Sequence, residues 1–120
     1  MAEFVKIDER AFNFALHVIE AYKYLVSKGE YVMSKQFLKS GTSIGANIHE
    51  AQAGQTKKDF ISKMSIASKE ARETEYWLRL LDRSGYIADF DNKDYMLSEI
   101  SSIINIVTRI IKTSKARMKV

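Results

Sequence analysis

The chain of 120 residues contains no cysteine, no proline, five glycines and one tryptophan. Without cysteine there is no disulfide and no thiolate metal site. That absence also favours a reducing compartment, so the cytoplasm is the expected location. Without proline the commonest helix breaker is missing, and so few glycines leave few stops, a composition that suits long helices. No apolar run approaches the ~18 residues a membrane span requires. The opening Met-Ala-Glu-Phe-Val-Lys-Ile-Asp also lacks the continuous apolar stretch of a signal peptide. What remains is a globular composition: 46% hydrophobic and 28% charged residues can build one core, and the length fits a single domain over residues 1–120.

The formal charge is +4, and its placement says more than its size. Arg109, Lys112, Lys115, Arg117 and Lys119 follow one another at the C-terminal end with no acid among them, while the rest of the chain is close to neutral.

Hydrophobic periodicity predicts four helices, over about 8–28, 33–53, 56–84 and 91–115. Asp8 is placed as the first N-cap and Gly29 as the C′ residue that ends this helix. Glu30-Tyr31-Val32 reads as a short connection. The second helix stops at Gly54, and Thr56 with Asp59 resembles a capping box opening the third, which stops at Gly85. Asp91 is placed as the cap of the fourth. Short connections force consecutive helices to run antiparallel, so the expected fold is all-α, an up-down-up-down four-helix bundle.

Two helices look apolar over more than one face. On the first, Phe12, Leu16, Ile19 and Val26 lie along one stripe and Phe14, Val18, Ala21 and Leu25 along another. On the fourth, Ile103, Ile106 and Ile110 add to Leu97, Ile100, Ile104, Val107 and Ile111. One face suffices for a core, and a second one left in water marks an interaction surface, so self-association is expected; the alternative is a wide but wholly internal core. The second helix instead carries Gly41, Ser43, Gly45 and Ala46 at its middle. Each interior glycine costs on the order of 1 kcal/mol relative to alanine, which close approach of a neighbouring backbone offsets. Gly41 to Gly45 lacks the lysine and strand-to-helix setting of a phosphate loop.

Catalytic and metal-binding patterns are sparse. A di-iron bundle needs Glu-x-x-His pairs on two helices, and none occurs here. His17 and Glu20 give only the reversed order, and His49 and Glu50 point about 100° apart on a helix. No metal, cofactor or nucleophilic site is therefore expected. Arg10 and His17, with six residues between them, fit the loose Arg-x(4–6)-His spacing of HEPN-type ribonucleases, although Ala11 stands where those proteins usually carry a polar residue.

The most informative pattern lies on the third helix. Steps of four and three from Lys58 meet Ser62, Ser65, Lys69, Arg72, Tyr76, Arg79 and Arg83, a row without an acid. It extends over about 37 Å at ~1.5 Å per residue, a length suited to a phosphate backbone. Hydroxyls can add phosphate contacts and Tyr76 can stack on an unpaired base. Glu70, Glu73 and Glu75 on neighbouring positions offer the opposing reading, an ordinary solvated face of ion pairs. On the fourth helix Asn105, Arg109, Lys112, Ala116 and Lys119 make a second row with Lys115 beside it. An antiparallel bundle brings its end next to Lys57 and Lys58, forming a basic pole that Asp8, Glu9 and Asp59 temper.

The run Ser43-Ile44-Gly45-Ala46-Asn47-Ile48-His49-Glu50-Ala51, then Lys58-Asp59-Phe60, Ala67, Glu73-Thr74, Trp77-Leu78 and Leu80-Leu81, resembles a known family in order and spacing. The similarity, over about residues 8–112, is to the bacterial four-helix-bundle proteins first associated with 23S rRNA intervening sequences. That resemblance implies a cytoplasmic homopentamer shaped as a ring or barrel, with no established enzymatic activity. It also implies kinship with the accessory variability determinant of diversity-generating retroelements, a basic pentamer that binds nucleic acid and its reverse transcriptase. Asn47, Glu50 and Glu73 occupy the family's characteristic polar positions. They are expected to make inter-helix hydrogen bonds or ion pairs, since a charge turned into the bundle needs a partner. The departure is in charge, because this chain outside its tail is nearly neutral.

The function expected first is therefore non-enzymatic: a homo-oligomer that contacts RNA or DNA phosphates through Lys58, Lys69, Arg72, Tyr76, Arg79, Arg83, Arg109, Lys112, Lys115 and Lys119. A scaffold that binds another protein and never touches nucleic acid is the alternative, and a HEPN-like ribonuclease is the third reading.

Overall fold

The computed structural model describes the backbone of residues 2–118 and the side chains of residues 6–118. Within them lie four helices and no strand: α1 (Ala2–Ser27), α2 (Met33–Ala51), α3 (Lys57–Arg83) and α4 (Lys93–Met118). The stops follow backbone chemistry. Gly29 and Gly85 both have φ of +87°, the left-handed conformation that suits glycine. At each the chain closes a Schellman motif: the Glu30 amide donates to the Leu25 carbonyl and the Tyr86 amide to that of Leu81. Gly54 acts differently. A Cβ there would sit 3.2 Å from both the Ala51 oxygen and the Phe60 nitrogen, a tight fit in the α2–α3 connection beyond the end of the helix. Thr56 caps α3 as its spacing predicts, its hydroxyl accepting from the Asp59 amide at 3.0 Å.

Several boundaries differ from the sequence reading, and α2 ends at Ala51 with Gln52 as its C-cap, two residues short of the expected 53. α1 starts at Ala2, ahead of Asp8, because the extra turns bury Ile7 in the core; the Asp8 carboxylate instead accepts from Gln52 Nε2 at 2.8 Å. α4 starts at Lys93, where the Asn92 carbonyl accepts from the Met96 amide, so Asp91 is not the cap, and the helix continues to Met118. At the head of α2 the cap position, Val32, has no side chain able to accept. Glu30 reaches forward instead. Its carboxylate accepts from the amides of Ser34 at 2.6 Å, Met33 at 3.0 Å and Val32 at 3.2 Å, while the Ser34 hydroxyl donates back to the Glu30 carbonyl.

Burial pushes the Glu30 carboxyl pKa up, but the three amides outweigh it and hold the pKa below the ordinary value. A carboxylate favoured in the folded state stabilises the fold above its unfolded pKa of about 4.3, and that contribution fades as pH falls through the lower folded value. Glu30→Gln, which turns an amide NH2 towards amide donors, is expected to lower stability at neutral pH by about 1–2 kcal/mol in urea denaturation. The gap between wild type and variant should narrow once the pH drops below about 4. A gap constant down to pH ~3 would show that the charge is not what matters.

Pairs across the helices run in opposite senses. Gly45 lies against Ala11 and Gly41 against Val18; Ser40 meets Thr74 and Glu50 meets Lys63; Arg10 meets Glu99 and Glu20 meets Asn92. As one index rises its partner falls, so neighbouring helices are antiparallel. α1 and α3 each lie beside α2 and α4, and the backbones of the two diagonal pairs stand farther apart. The packing is that of an antiparallel bundle, a rod measuring 51 × 21 × 19 Å.

The two faces of α1 separate. Phe14, Val18, Ala21 and Leu25 are fully buried or nearly so, whereas Phe12 and Leu16 are 65% and 52% exposed and Ile19 is also exposed. On α4 the width is internal: Ile100, Ile103, Ile104, Val107 and Ile110 are buried, with Leu97, Ile106 and Ile111 packed against them. The close approach expected of α2 is present at two glycines. A Cβ at Gly41 would stand 2.7 and 2.8 Å from the Val18 methyls, and one at Gly45 3.4 Å from the Ala11 carbonyl oxygen. On the other flank of α2, the buried Thr74 hydroxyl donates to that of Ser40 at 2.9 Å.

Candidate nucleic-acid interface

The periodicity of α3 sends Ile61, Met64, Ala67, Ala71, Thr74, Leu78 and Leu81 inward and leaves the opposite side to water. On that side lie Lys58, Lys69, Arg72, Tyr76, Arg79 and Arg83, all exposed, with Ser62 and Ser65 between them. Neighbouring acids do not neutralise the row. The ion pairs Arg10–Glu99, Lys63–Glu50 and Lys93–Asp82 and the contact of His49 with Asp8 lie elsewhere, and among the described residues no ion pair includes Lys58, Lys69, Arg72, Arg79 or Arg83. Glu73, the nearest acid to Tyr76 by helical position, accepts from Trp77 Nε1 at 3.2 Å. Tyr76 rests edge-on against the Trp77 ring at 5.3 Å between centroids, exposed and braced by its neighbour.

On α4, Asn105, Arg109, Lys112, Lys115 and Ala116 are exposed, and Lys119 lies outside the described residues. The antiparallel arrangement brings the end of α4 to the start of α3. Lys58 and Lys115 line one shallow cavity of about 390 Å³ together with Ile61 and Met118. The two rows thus flank the α3–α4 seam and converge at one pole. A polyanion laid along α3 would meet cations over its whole length and meet α4 at that end.

Of the three polar positions that the resemblance implies, only Glu50 pairs between helices, at 3.1 Å from Lys63. Asn47 Nδ2 donates to the Ser43 carbonyl, and Glu73 is engaged by Trp77, each within its own helix. Glu50 and Glu73 are exposed, so neither needs an interior partner. Arg10 and His17 are held apart by different neighbours. Glu99 takes the Arg10 guanidinium in a two-point pair at 2.9 and 2.6 Å, and that hydrogen bonding raises the arginine pKa still further. His17 rests on the Tyr95 ring at 4.6 Å with Nδ1 at 2.9 Å from the Asn13 carbonyl oxygen. No group of three metal-ligating side chains occurs among the described residues, and no helix there is long and apolar enough to cross a membrane.

Two features escaped the sequence reading. Phe12, Leu16 and Ile19 of α1, with Thr42, Gly45 and Ala46 of α2, line an open, mainly apolar groove of about 800 Å³, which Asp8, Glu9 and His49 also border. On the α2 side of α3, Ile66 and Leu80 are exposed and Trp77 half-buried, forming an apolar ridge beside the cation row.

Four amphipathic helices in this arrangement define a small all-α bundle protein with an apolar outer groove and a cationic outer face. Within that class, the chain belongs to the 23S rRNA-intervening sequence protein family, whose pattern matches residues 3–109. It is similar, at 44% identity and a TM-score of 0.86, to a crystal structure from Bacteroides thetaiotaomicron. That structure is of a protein with unknown function from the S23 ribosomal protein family, and the match covers 92% of this chain and 98% of that one. No curated protein matches the chain.

Proposed function

We propose that the protein is a homo-oligomeric cytoplasmic bundle that binds RNA or DNA through the phosphate backbone, using the α3–α4 face, with binding rather than catalysis as its role. One observation carries this reading: the row from Lys58 to Arg83 is exposed along the whole of α3 and its five cations have no carboxylate partner among the described residues. Unpaired cations over that length can displace condensed counterions from a polyanion, and an arginine left without a partner matches a phosphate at two points. The uncovered groove on α1 favours an oligomer, and the family resemblance suggests five copies.

The test is an anisotropy titration with structured RNA, single-stranded DNA and duplex DNA at low and moderate salt. Four or five phosphate contacts predict a log–log salt slope of about −3 to −4, so affinity should fall about a hundredfold between 50 and 200 mM salt. Binding unaffected by salt, or none to any of the three at low salt, would instead favour the scaffold reading, in which the groove receives another protein.

A further inference from the structure

We infer that the α3 face selects single-stranded nucleic acid over duplex, with Tyr76 as the platform on which an unpaired base stacks beside phosphates held by Arg72 and Arg79. The inference rests on the phosphate-binding reading above and deepens it by naming the form of nucleic acid that the face takes.

Position comes first. Tyr76 stands inside the cation row, four residues after Arg72 and three before Arg79, so the two guanidinium groups start about 10 Å apart along the axis with the phenol between them. At about 100° per residue both arginines fall on one side of Tyr76, towards the flank where Asp82 meets Lys93 of α4. Glu73 falls on the other side, towards the flank where Thr74 meets Ser40 of α2, and its carboxylate is engaged by the Trp77 indole. Glu75, the acid nearest the arginines, is half-buried further round the α4 flank. An extended strand can therefore run its phosphates along the α4 side of the crest and turn a base across it onto the ring.

The ring itself is open and held. Tyr76 is 58% exposed, and the side chain it rests on is anchored: Trp77 packs against the core and donates from Nε1 to Glu73 at 3.2 Å. The planes of the two rings meet at 74°, so they do not stack on each other and the indole does not take the place of a base. A platform fixed before its ligand arrives loses little side-chain freedom on binding.

Strand form decides what such a ring can gain. In a duplex the bases are already paired and stacked, and a side chain laid along the backbone meets sugars and phosphates, to which a phenol ring adds no stacking. An unpaired base offers a free face, and every base has one, so stacking is tolerant of sequence. The cations supply affinity for any polyanion, and Tyr76 adds to it for single strands alone.

The experiment titrates one labelled mixed-pyrimidine oligonucleotide, as DNA, as RNA and as DNA annealed to its complement, with full-length wild type, Tyr76→Ala and Tyr76→Phe at low and moderate salt. Wild type should bind both single strands on the order of tenfold more tightly than the duplex. Tyr76→Ala should lose about that factor on both single strands while its duplex affinity and its salt slope stay as in wild type, because no phosphate contact is removed. Tyr76→Phe, which keeps the ring, should behave as wild type. Trp77 is the sole tryptophan and touches Tyr76, so bound single strands should also change its fluorescence. A duplex bound as tightly as the single strands, an alanine variant that weakens all three alike, or tryptophan emission blind to a bound single strand would overturn the role of Tyr76 and leave backbone binding standing. No binding of any probe at low salt would overturn the phosphate-binding reading, and this inference with it. Should alanine lower the helical circular dichroism, Tyr76→Gln, a helix former without a ring, makes the same comparison.

Discussion

Reversing two charges in the middle of the α3 row, Arg72→Glu with Arg79→Glu, is expected to weaken nucleic-acid binding by about a hundredfold at ~0.1 M salt and to flatten the salt slope by about two. The size follows from counterion release, in which each phosphate contact contributes roughly tenfold near that ionic strength. Both side chains are exposed and have no carboxylate partner among the described residues, so thermal stability should stay within about 0.5 kcal/mol of wild type. Loss of affinity together with an unchanged melting temperature separates a binding face from a structural one. Affinity retained in the double variant would move the interface elsewhere. Arg10→Glu is an unsuitable control, since it would turn the buried end of the Glu99 pair into a repulsion between α1 and α4.

Gly41→Ala is expected to destabilise the bundle by about 2 kcal/mol, seen as a fall in melting temperature of the order of 10 °C. Helix propensity alone would reverse the sign, since alanine in a helix interior is favoured over glycine by about 1 kcal/mol. Packing decides the outcome. The added methyl would stand 2.7 Å from a Val18 methyl, and Val18 is fully buried, so α1 and α2 must part or the valine must leave its rotamer. Val18→Ala alone should also destabilise by about 2 kcal/mol through the cavity it leaves. Combined, the two changes should cost clearly less than their sum, because the new methyl enters the new space. Strict additivity in a double-mutant cycle would show that the contact between these positions is not what makes glycine necessary at 41.

What the sequence revealed, and what it hid, divides along the range of the interactions. Stops set by a single residue's backbone were legible: Gly29 and Gly85 take the left-handed conformation, and the Thr56–Asp59 spacing gives the cap. Gly54 does not end α2, which stops at Ala51 with Gln52 as its C-cap; it lies in the connection beyond, where a Cβ would crowd Phe60, a contact that composition does not reveal. Glu30 read as part of a connection because glutamate is not among the usual capping residues; only the geometry of the Gly29 turn aims it at three amides. The wide apolar faces of α1 and α4 looked alike as patterns, yet one is internal and the other open. The difference lies in which helices flank each face, and periodicity carries no information on that. The cation row of α3 was visible because like residues repeat along it. The ridge beside it was not, because Glu70 and Glu73 interrupt its apolar positions. Asn47 and Glu73 were assigned partners across helices, yet a neighbour four residues away on the same helix was closer to hand.

The alternation of helix direction also governs where the protein can be handled. The first turn of α1 and the last turn of α4 lie at the same end as the Lys58–Lys115 cavity, so an affinity tag at either terminus is attached beside the cationic pole. A tag rich in carboxylates would compete there with any polyanion. The α3–α4 connection is at the other end, and Ala88 and Asp89 within it are exposed. Because the chain has no thiol of its own, a cysteine introduced at either position would be its sole reactive sulfur. A fluorophore or a surface linkage placed there would hold the rod by its far end and leave the charged pole free.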